Sequence, residues 1–181
     1  MKKTLLALTL SCALASPAFA ALAPGAAAPD FVAPAFLAGK PFDFHLNDAL
    51  KKGPVVLYFF PAAHTSGCNL EAHLFAEAVD QFKAQGATVI GVTAGNTDQL
   101  GAFSAETEHC SGKFPVAADA DLKIGKEYDS KLVLRPGWTD RTSYVITPDH
   151  KVLFAYSDLK ADKHVDETLA AVKAWRAKHP G

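Results

Sequence analysis

The chain of 181 residues carries 18 Lys and Arg against 19 Asp and Glu, a formal net charge of −1 at pH 7, and 49% of it is apolar. Its basic residues are scattered and not interleaved with aromatics, which excludes a nucleic-acid surface of the usual kind. Residues 1–20 begin with Lys2 and Lys3, continue through an apolar stretch over residues 5–15, and end Ala18-Phe19-Ala20. That is the order of a secretory signal peptide, with cleavage expected before Ala21, and its apolar run is too short to span a membrane. Cys12 within it fits a lipidation site poorly. A periplasmic or secreted protein is expected, with no membrane or nucleic-acid partner and with residues 21–181 as a single domain large enough for a core. Two cysteines, Cys68 and Cys110, lie beyond the leader, and an oxidising compartment allows a disulfide between them.

Residues 21–28 are Ala, Gly and Pro with one Leu, a lead-in with little to bury. Apolar runs at 31–37 and 42–46 flank Ala38-Gly39-Lys40-Pro41 and read as a β-hairpin, followed by a helical turn over 47–52. Residues 55–60, Val-Val-Leu-Tyr-Phe-Phe, are continuously apolar and about the length of a strand buried on both faces. Pro61 stops that strand, and Leu70, Leu74, Phe75, Ala78 and Phe82 then mark a helical stripe ending at Gly86. Thr65 or Ser66 is placed to cap this helix. Residues 88–93 read as the next strand, joined to the first by a right-handed parallel crossover. Asn96 or Thr97 is placed to cap a further helix with Leu100, Phe103, Thr107 and Cys110 on its inward side. A weak strand at 114–118, a short helix at 121–128, a hairpin of 143–146 with 152–156, and a last helix with Val165, Leu169 and Val172 inward and Trp175 in the core or at its rim complete the chain. The expected class is α/β, a mixed sheet of about five to seven strands with helices on both faces.

Cys68 falls in the first turn of the helix that follows the central strand. There the unpaired amides and the positive end of the helix dipole favour a thiolate over a thiol. His64 and His73 flank Cys68, and a Cys with two His within ten residues resembles a metal-ligand set. His73 falls beside the apolar stripe, as a helix-surface histidine does, so no metal is expected. Glu71 sits where it complements the dipole or stands behind the thiol.

Pro61, Thr65 and Cys68 in the stretch PAAHTSGC match the Pro-x-x-x-Thr-x-x-Cys signature of peroxiredoxins. Much of the remainder agrees, from Ala28-Pro29-Asp30-Phe31 to Arg141-Thr142-Ser143-Tyr144-Val145-Ile146. The chain most resembles the peroxiredoxin Q branch, also called bacterioferritin comigratory proteins. The resemblance implies a thioredoxin-like fold and a thiol peroxidase without cofactor. It implies Cys68 as peroxidatic cysteine, Thr65 and Arg141 as groups orienting and stabilising the thiolate and peroxide, Pro61 as shield of the thiolate, and Glu71 as the family's glutamate. The partners it implies are a hydroperoxide and a thioredoxin-like reductant, with the protein a monomer or weak dimer. His64 and Ser66 replace an aromatic and a proline usual in the branch, and His73 stands where a second cysteine often lies. Cys110 is therefore the candidate to resolve the oxidised Cys68, against a one-cysteine cycle in which it only packs. The lesser alternative for Arg141 is a surface ion pair, with Arg135 close by in sequence. Two other readings compete. A thioredoxin-type disulfide carrier needs Cys-x-x-Cys, which Cys68-Asn69-Leu70-Glu71 lacks. A secreted thioredoxin-fold binding domain would hold a permanent Cys68–Cys110 disulfide.

Overall fold

The architecture follows from β3 (Val55–Phe59), all five of whose residues are buried. A strand alternates its side chains between two faces. Val56, Tyr58 and the following Phe60 accordingly enter one core, and Val55, Leu57 and Phe59 enter another. The computed structural model describes residues 21–180, so the expected signal peptide lies outside the described residues.

Around β3 the chain runs β1 (Val32–Leu37), β2 (Lys40–His45), α1 (Leu46–Leu50), then after β3 α2 (Ser66–Ala84), β4 (Thr88–Thr93), α3 (Leu100–Ala105) and β5 (Val116–Ala118). It closes with α4 (Lys123–Glu127), β6 (Thr142–Ile146), β7 (Val152–Ser157) and α5 (His164–Lys178). The seven strands form one mixed sheet in the order β2-β1-β5-β4-β3-β6-β7. β3 pairs parallel with β4 across the α2 crossover and antiparallel with β6, which puts it at the sheet's interior. Helices α2, α3 and α5 pack on the Tyr58 face, and α1 and α4 on the other. The expected mixed α/β sheet with helices on both faces is the observed one, at the upper end of the strand range.

Local chemistry explains the details. Ala38 and Gly39 both have positive φ, 51° and 77°, so the first hairpin closes on a two-residue turn with Leu37 opposite Lys40. That turn is tighter than the one expected over 38–41, and Pro41 falls on edge strand β2, where a missing amide is tolerated. In β4, Gly91 is required: a Cβ there would lie 2.7 Å from the ring of Tyr58, which is stacked on Phe75 at 4.4 Å.

Several expectations are corrected. Along α2 the inward face is Cys68, Glu71, Ala72, Phe75, Val79 and Phe82, whereas Leu70 is 48% exposed. The helix thus turns a carboxylate inward and a leucine outward next to Cys68. The helix expected to run through Cys110 ends at Ala105, because Glu106 takes extended backbone at φ −64° and ψ 131°. Residues 107–112 form turns instead, with Ser111 and Gly112 at positive φ; Thr107 is exposed and Cys110 remains fully buried. Trp175, read as core or rim, takes the rim of α5, stacked on His179 at 4.5 Å.

Candidate active site

Between β3 and α2 the chain must turn sharply without regular pairing, and its carbonyls need partners. Four side chains supply them. Thr139 Oγ1 donates to the carbonyl of Phe60 at 2.6 Å, Thr93 Oγ1 to Pro61 at 3.1 Å, Thr65 Oγ1 to Ala62 at 3.0 Å and Asn96 Nδ2 to Ala63 at 2.9 Å. Gly95 lies beside the same loop, where a Cβ would approach the Pro61 carbonyl to 2.3 Å. Pro61 to Thr65 is therefore held from three directions: by the end of β4, by the turn before α3 and by the segment leading into β6.

Thr65 occupies the N-cap position with extended backbone, but its hydroxyl turns back to Ala62 and does not cap the helix. Asn96 likewise spends its amide on Ala63 and not on a helix end. Thr65 and Asn96, each one of two candidates to cap a helix, serve the loop instead.

Cys68, third residue of α2, is 1% exposed. Arg141, one residue before β6, is 4% exposed and has each of its nitrogens engaged. Nε donates to the Leu159 carbonyl at 2.9 Å, Nη1 to Glu71 Oε2, and Nη2 to Cys68 Sγ at 3.5 Å. The surface-ion-pair reading of Arg141 does not hold. A guanidinium aimed by a backbone carbonyl and the Glu71 carboxyl offers its remaining corner to the sulfur, so a sulfur anion has a fixed cationic partner. Gly67 keeps this approach open: a Cβ there would sit 3.0 Å from Arg141 Nη2.

Behind the guanidinium lies a second layer. Glu71 is fully buried; burial pushes its carboxyl up to about 8, with the charge of Arg141 pulling the other way. Its Oε1 has no hydrogen-bond partner among the described residues and stands 3.6 Å from Nδ1 of the fully buried His164. His164 Nε2 donates to the Asp158 carbonyl at 2.9 Å, leaving Nδ1 to accept from Ser143 Oγ at 2.8 Å. Burial brings this imidazole down to about 4, so it is neutral at neutral pH.

Cys110 is buried in the same core as Cys68, and both are free thiols. Burial, with a smaller contribution from Glu106, pushes the Cys110 thiol well above its ordinary value. The buried Tyr58 hydroxyl has no hydrogen-bond partner among the described residues; desolvation raises its pKa first, and Cys110, Glu71 and Cys68 each raise it further. His64 and His73 do not gather around Cys68. His73 faces Glu77 at 3.4 Å on the outside of α2, and His64 meets Glu106 and His109.

Residues 24–155 match the model of the AhpC/TSA family. A putative peroxiredoxin of Mycobacterium tuberculosis is 33% identical over 135 residues, which cover 73% of this chain and 86% of that one. The chain belongs to the AhpC/TSA family of peroxiredoxins. Among other members, a chloroplastic peroxiredoxin Q of Sedum lineare is 30% identical over 125 residues, 68% of this chain and 66% of that one. The chain thus spans two thirds or less of the chloroplastic relatives, 57% for that of Populus jackii. The crystal structure of the peroxidoxin BcpB of Mycobacterium tuberculosis superposes with a TM-score of 0.73 at 30% identity, covering 83% of this chain and 96% of that one. A reduced 2-Cys peroxiredoxin of Plasmodium vivax, 22% identical, shares the fold with a TM-score of 0.77.

Of the residues singled out from the sequence, Cys68 and Arg141 touch, and Pro61 and Thr65 form the loop leading into α2. Cys110 shares their core without touching the loop's hydrogen-bond frame. The residues that sequence reasoning missed are Thr93 and Thr139 beneath the loop, and Ser143 and His164 behind Glu71; Asn96 was expected only as a helix cap. Only Ser143, inside the matched segment Arg141-Thr142-Ser143-Tyr144, carried any signal.

Proposed function

We propose that this peroxiredoxin is a thiol-dependent peroxidase of the periplasm or another exported compartment, with Cys68 as its peroxidatic residue. The observation that carries the reading is the Arg141 Nη2 contact to Cys68 Sγ at the head of α2, 3.5 Å long and held from behind by Glu71 and Leu159. The Cys68 thiolate attacks one peroxide oxygen, the O–O bond breaks, and the leaving oxygen departs as water or an alcohol once protonated. Arg141 and the first amides of α2 stabilise the charge that passes from sulfur to the leaving oxygen. Thr65 fixes the loop and lies one turn from the sulfur, and Pro61 begins the loop that covers it.

The product is a sulfenic acid on Cys68. Cys110 then attacks that sulfur, water leaves, and a Cys68–Cys110 disulfide forms, which a thioredoxin-like dithiol reduces in turn. Cys110 must first come out of the core, since its buried thiol resists ionisation. The end of α3 at Ala105 supports this, because the turns of residues 107–112 can swing out without unwinding an α-helix. A groove of about 400 Å³ beside Arg141 is lined by Leu132, Val133, Leu134 and Leu159 together with Asp129, Lys131, Asp140 and Ser157, a mixed surface that does not by itself select between hydrogen peroxide and organic hydroperoxides. The test is turnover of hydrogen peroxide and of an alkyl hydroperoxide with a thioredoxin and its reductase as electron donor. Wild type consumes reductant with both substrates and Cys68→Ser with neither; equal consumption by Cys68→Ser overturns the proposal.

A further inference from the structure

His64, Glu106 and His109 converge at the surface above α3. Glu106 Oε2 meets His64 Nε2 at 2.9 Å and His109 Nδ1 at 2.6 Å, and the three ligand atoms lie within 4.8 Å of one another. The two rings approach at 5.3 Å. Three features make this more than a surface ion pair. His64 Nε2 donates to Glu106 Oε2 while Nδ1 meets Gln99 Oε1 at 2.7 Å, so both ring nitrogens are fixed; a cation that replaces the proton on Nε2 finds Nδ1–H already anchored on Gln99, the arrangement that orients a metal-bound imidazole. His109 is 8% exposed, and its ring is stacked on Phe103 at 4.9 Å, so its Nδ1 is aimed before any ligand arrives. His64 holds left-handed backbone at φ 59°, uncommon for a non-glycine residue, in a loop that the Asn96 bond to the Ala63 carbonyl clamps.

We infer that His64, Glu106 and His109 form a binding site for a divalent transition cation of the Zn²⁺ or Cu²⁺ class, with Gln99 orienting His64. Two imidazoles and a carboxylate suit such a cation and leave a fourth tetrahedral position for water. Bonds of about 2.0 Å put tetrahedral ligands roughly 3.3 Å apart, so each His–Glu separation, 2.9 and 2.6 Å, opens by less than an ångström and the two histidine nitrogens, within 4.8 Å of each other, draw together. The site joins two segments that are far apart in sequence. His64 belongs to the loop that leads to Cys68, and His109 immediately precedes Cys110. A bound cation therefore fastens the turn carrying Cys110 to the Cys68 loop. This holds whether or not Cys110 takes part in a peroxidase cycle.

The experiment uses the full chain with Cys12, Cys68 and Cys110 all replaced by serine, so that no thiol competes for metal. Calorimetric titration with Zn²⁺ is expected to give one site of micromolar or tighter dissociation constant. His64→Asn, which tolerates the left-handed backbone, and His109→Phe, which keeps the stack on Phe103, each weaken it at least tenfold. Binding of equal strength in both variants, or no binding in the parent, overturns the site. A readout that needs no substitution at the ligands is the electron paramagnetic resonance of one equivalent of Cu²⁺, expected to show two imidazole nitrogens; none or one overturns it. Amide exchange of residues 107–113 should slow at least tenfold with Zn²⁺, and unchanged exchange overturns the fastening of the two segments.

Discussion

Replacing Arg141 by Met tests the buried pair behind Cys68 and has a pH signature that follows from burial. Glu71 is fully buried, and its carboxyl is raised from the ordinary 4.5 to about 8 in spite of Arg141. Below pH 4.5 folded and unfolded chains both hold the proton, so the group contributes its full stability there. From 4.5 to about 8 only the folded chain holds it, and stability falls with pH, in parallel for wild type and variant. Above 8 the wild-type carboxylate ionises against Arg141 and its slope levels off. In Arg141→Met the cation is gone, Glu71 keeps its proton to higher pH, and stability goes on falling by about 1.4 kcal/mol per pH unit. The gap between the two proteins therefore widens by roughly 2 kcal/mol between pH 8 and 9.5, which for a domain of this size is about 4–8 °C in Tm. Urea unfolding of the reduced proteins at pH 6, 8 and 9.5 measures it. The double variant Glu71→Gln/Arg141→Met, with no carboxyl to titrate, should run parallel to wild type above pH 8. A gap that stays constant from pH 6 to 9.5 in Arg141→Met would refute the reasoning.

His164 gives the opposite limb: its folded value of about 4 lies below the ordinary 6.5, so its contribution is present above 6.5 and is lost as pH falls toward 4. That loss is roughly 3 kcal/mol, and urea unfolding of His164→Gln should lack it, with an unchanged acid limb counting against the assignment. Thr139→Val leaves the buried Phe60 carbonyl unpaired, and should cost about 1–3 kcal/mol while slowing peroxide consumption through the loosened Cys68 loop; wild-type stability and rate together would show that the loop does not need this bond. Cys110→Ser should keep the first oxidation, accumulate sulfenic or sulfinic Cys68 and lose turnover with a thioredoxin-type donor. Normal turnover, with no 68–110 bridged peptide in the oxidised wild type, would make Cys110 a packing residue.

The sheet was legible wherever periodicity was strong. An apolar run such as 55–60 has few alternatives to a central strand, and the two hairpins are bounded by turn residues. Where chemistry overrides periodicity the reading slipped: α2 buries Glu71 and exposes Leu70, because the carboxylate has Arg141 to meet. Cys110 fitted a helical stripe by spacing, yet Glu106 leaves helical backbone, a local choice that an apolar pattern does not register. The loop contacts of Thr93, Asn96 and Thr139 were invisible for a different reason. Each lies 32 or more residues from the carbonyl it serves, so no window on the sequence brings the two together. The pairing of Cys68 with Arg141, 73 residues apart, came from family resemblance, and only the strand order explains how β6 beside β3 delivers it.

The most direct measurement of the central claim is the fate of Cys68 on brief exposure to peroxide. Fully reduced protein is mixed with one equivalent of hydrogen peroxide, quenched within seconds by a thiol-alkylating reagent, and digested for mass spectrometry. Cys68 is predicted to have left the thiol pool in that time, as sulfenic acid or as a disulfide with Cys110, and to do so far more slowly in Arg141→Met. Cys68 recovered as an alkylated free thiol after minutes with peroxide would contradict its peroxidatic role.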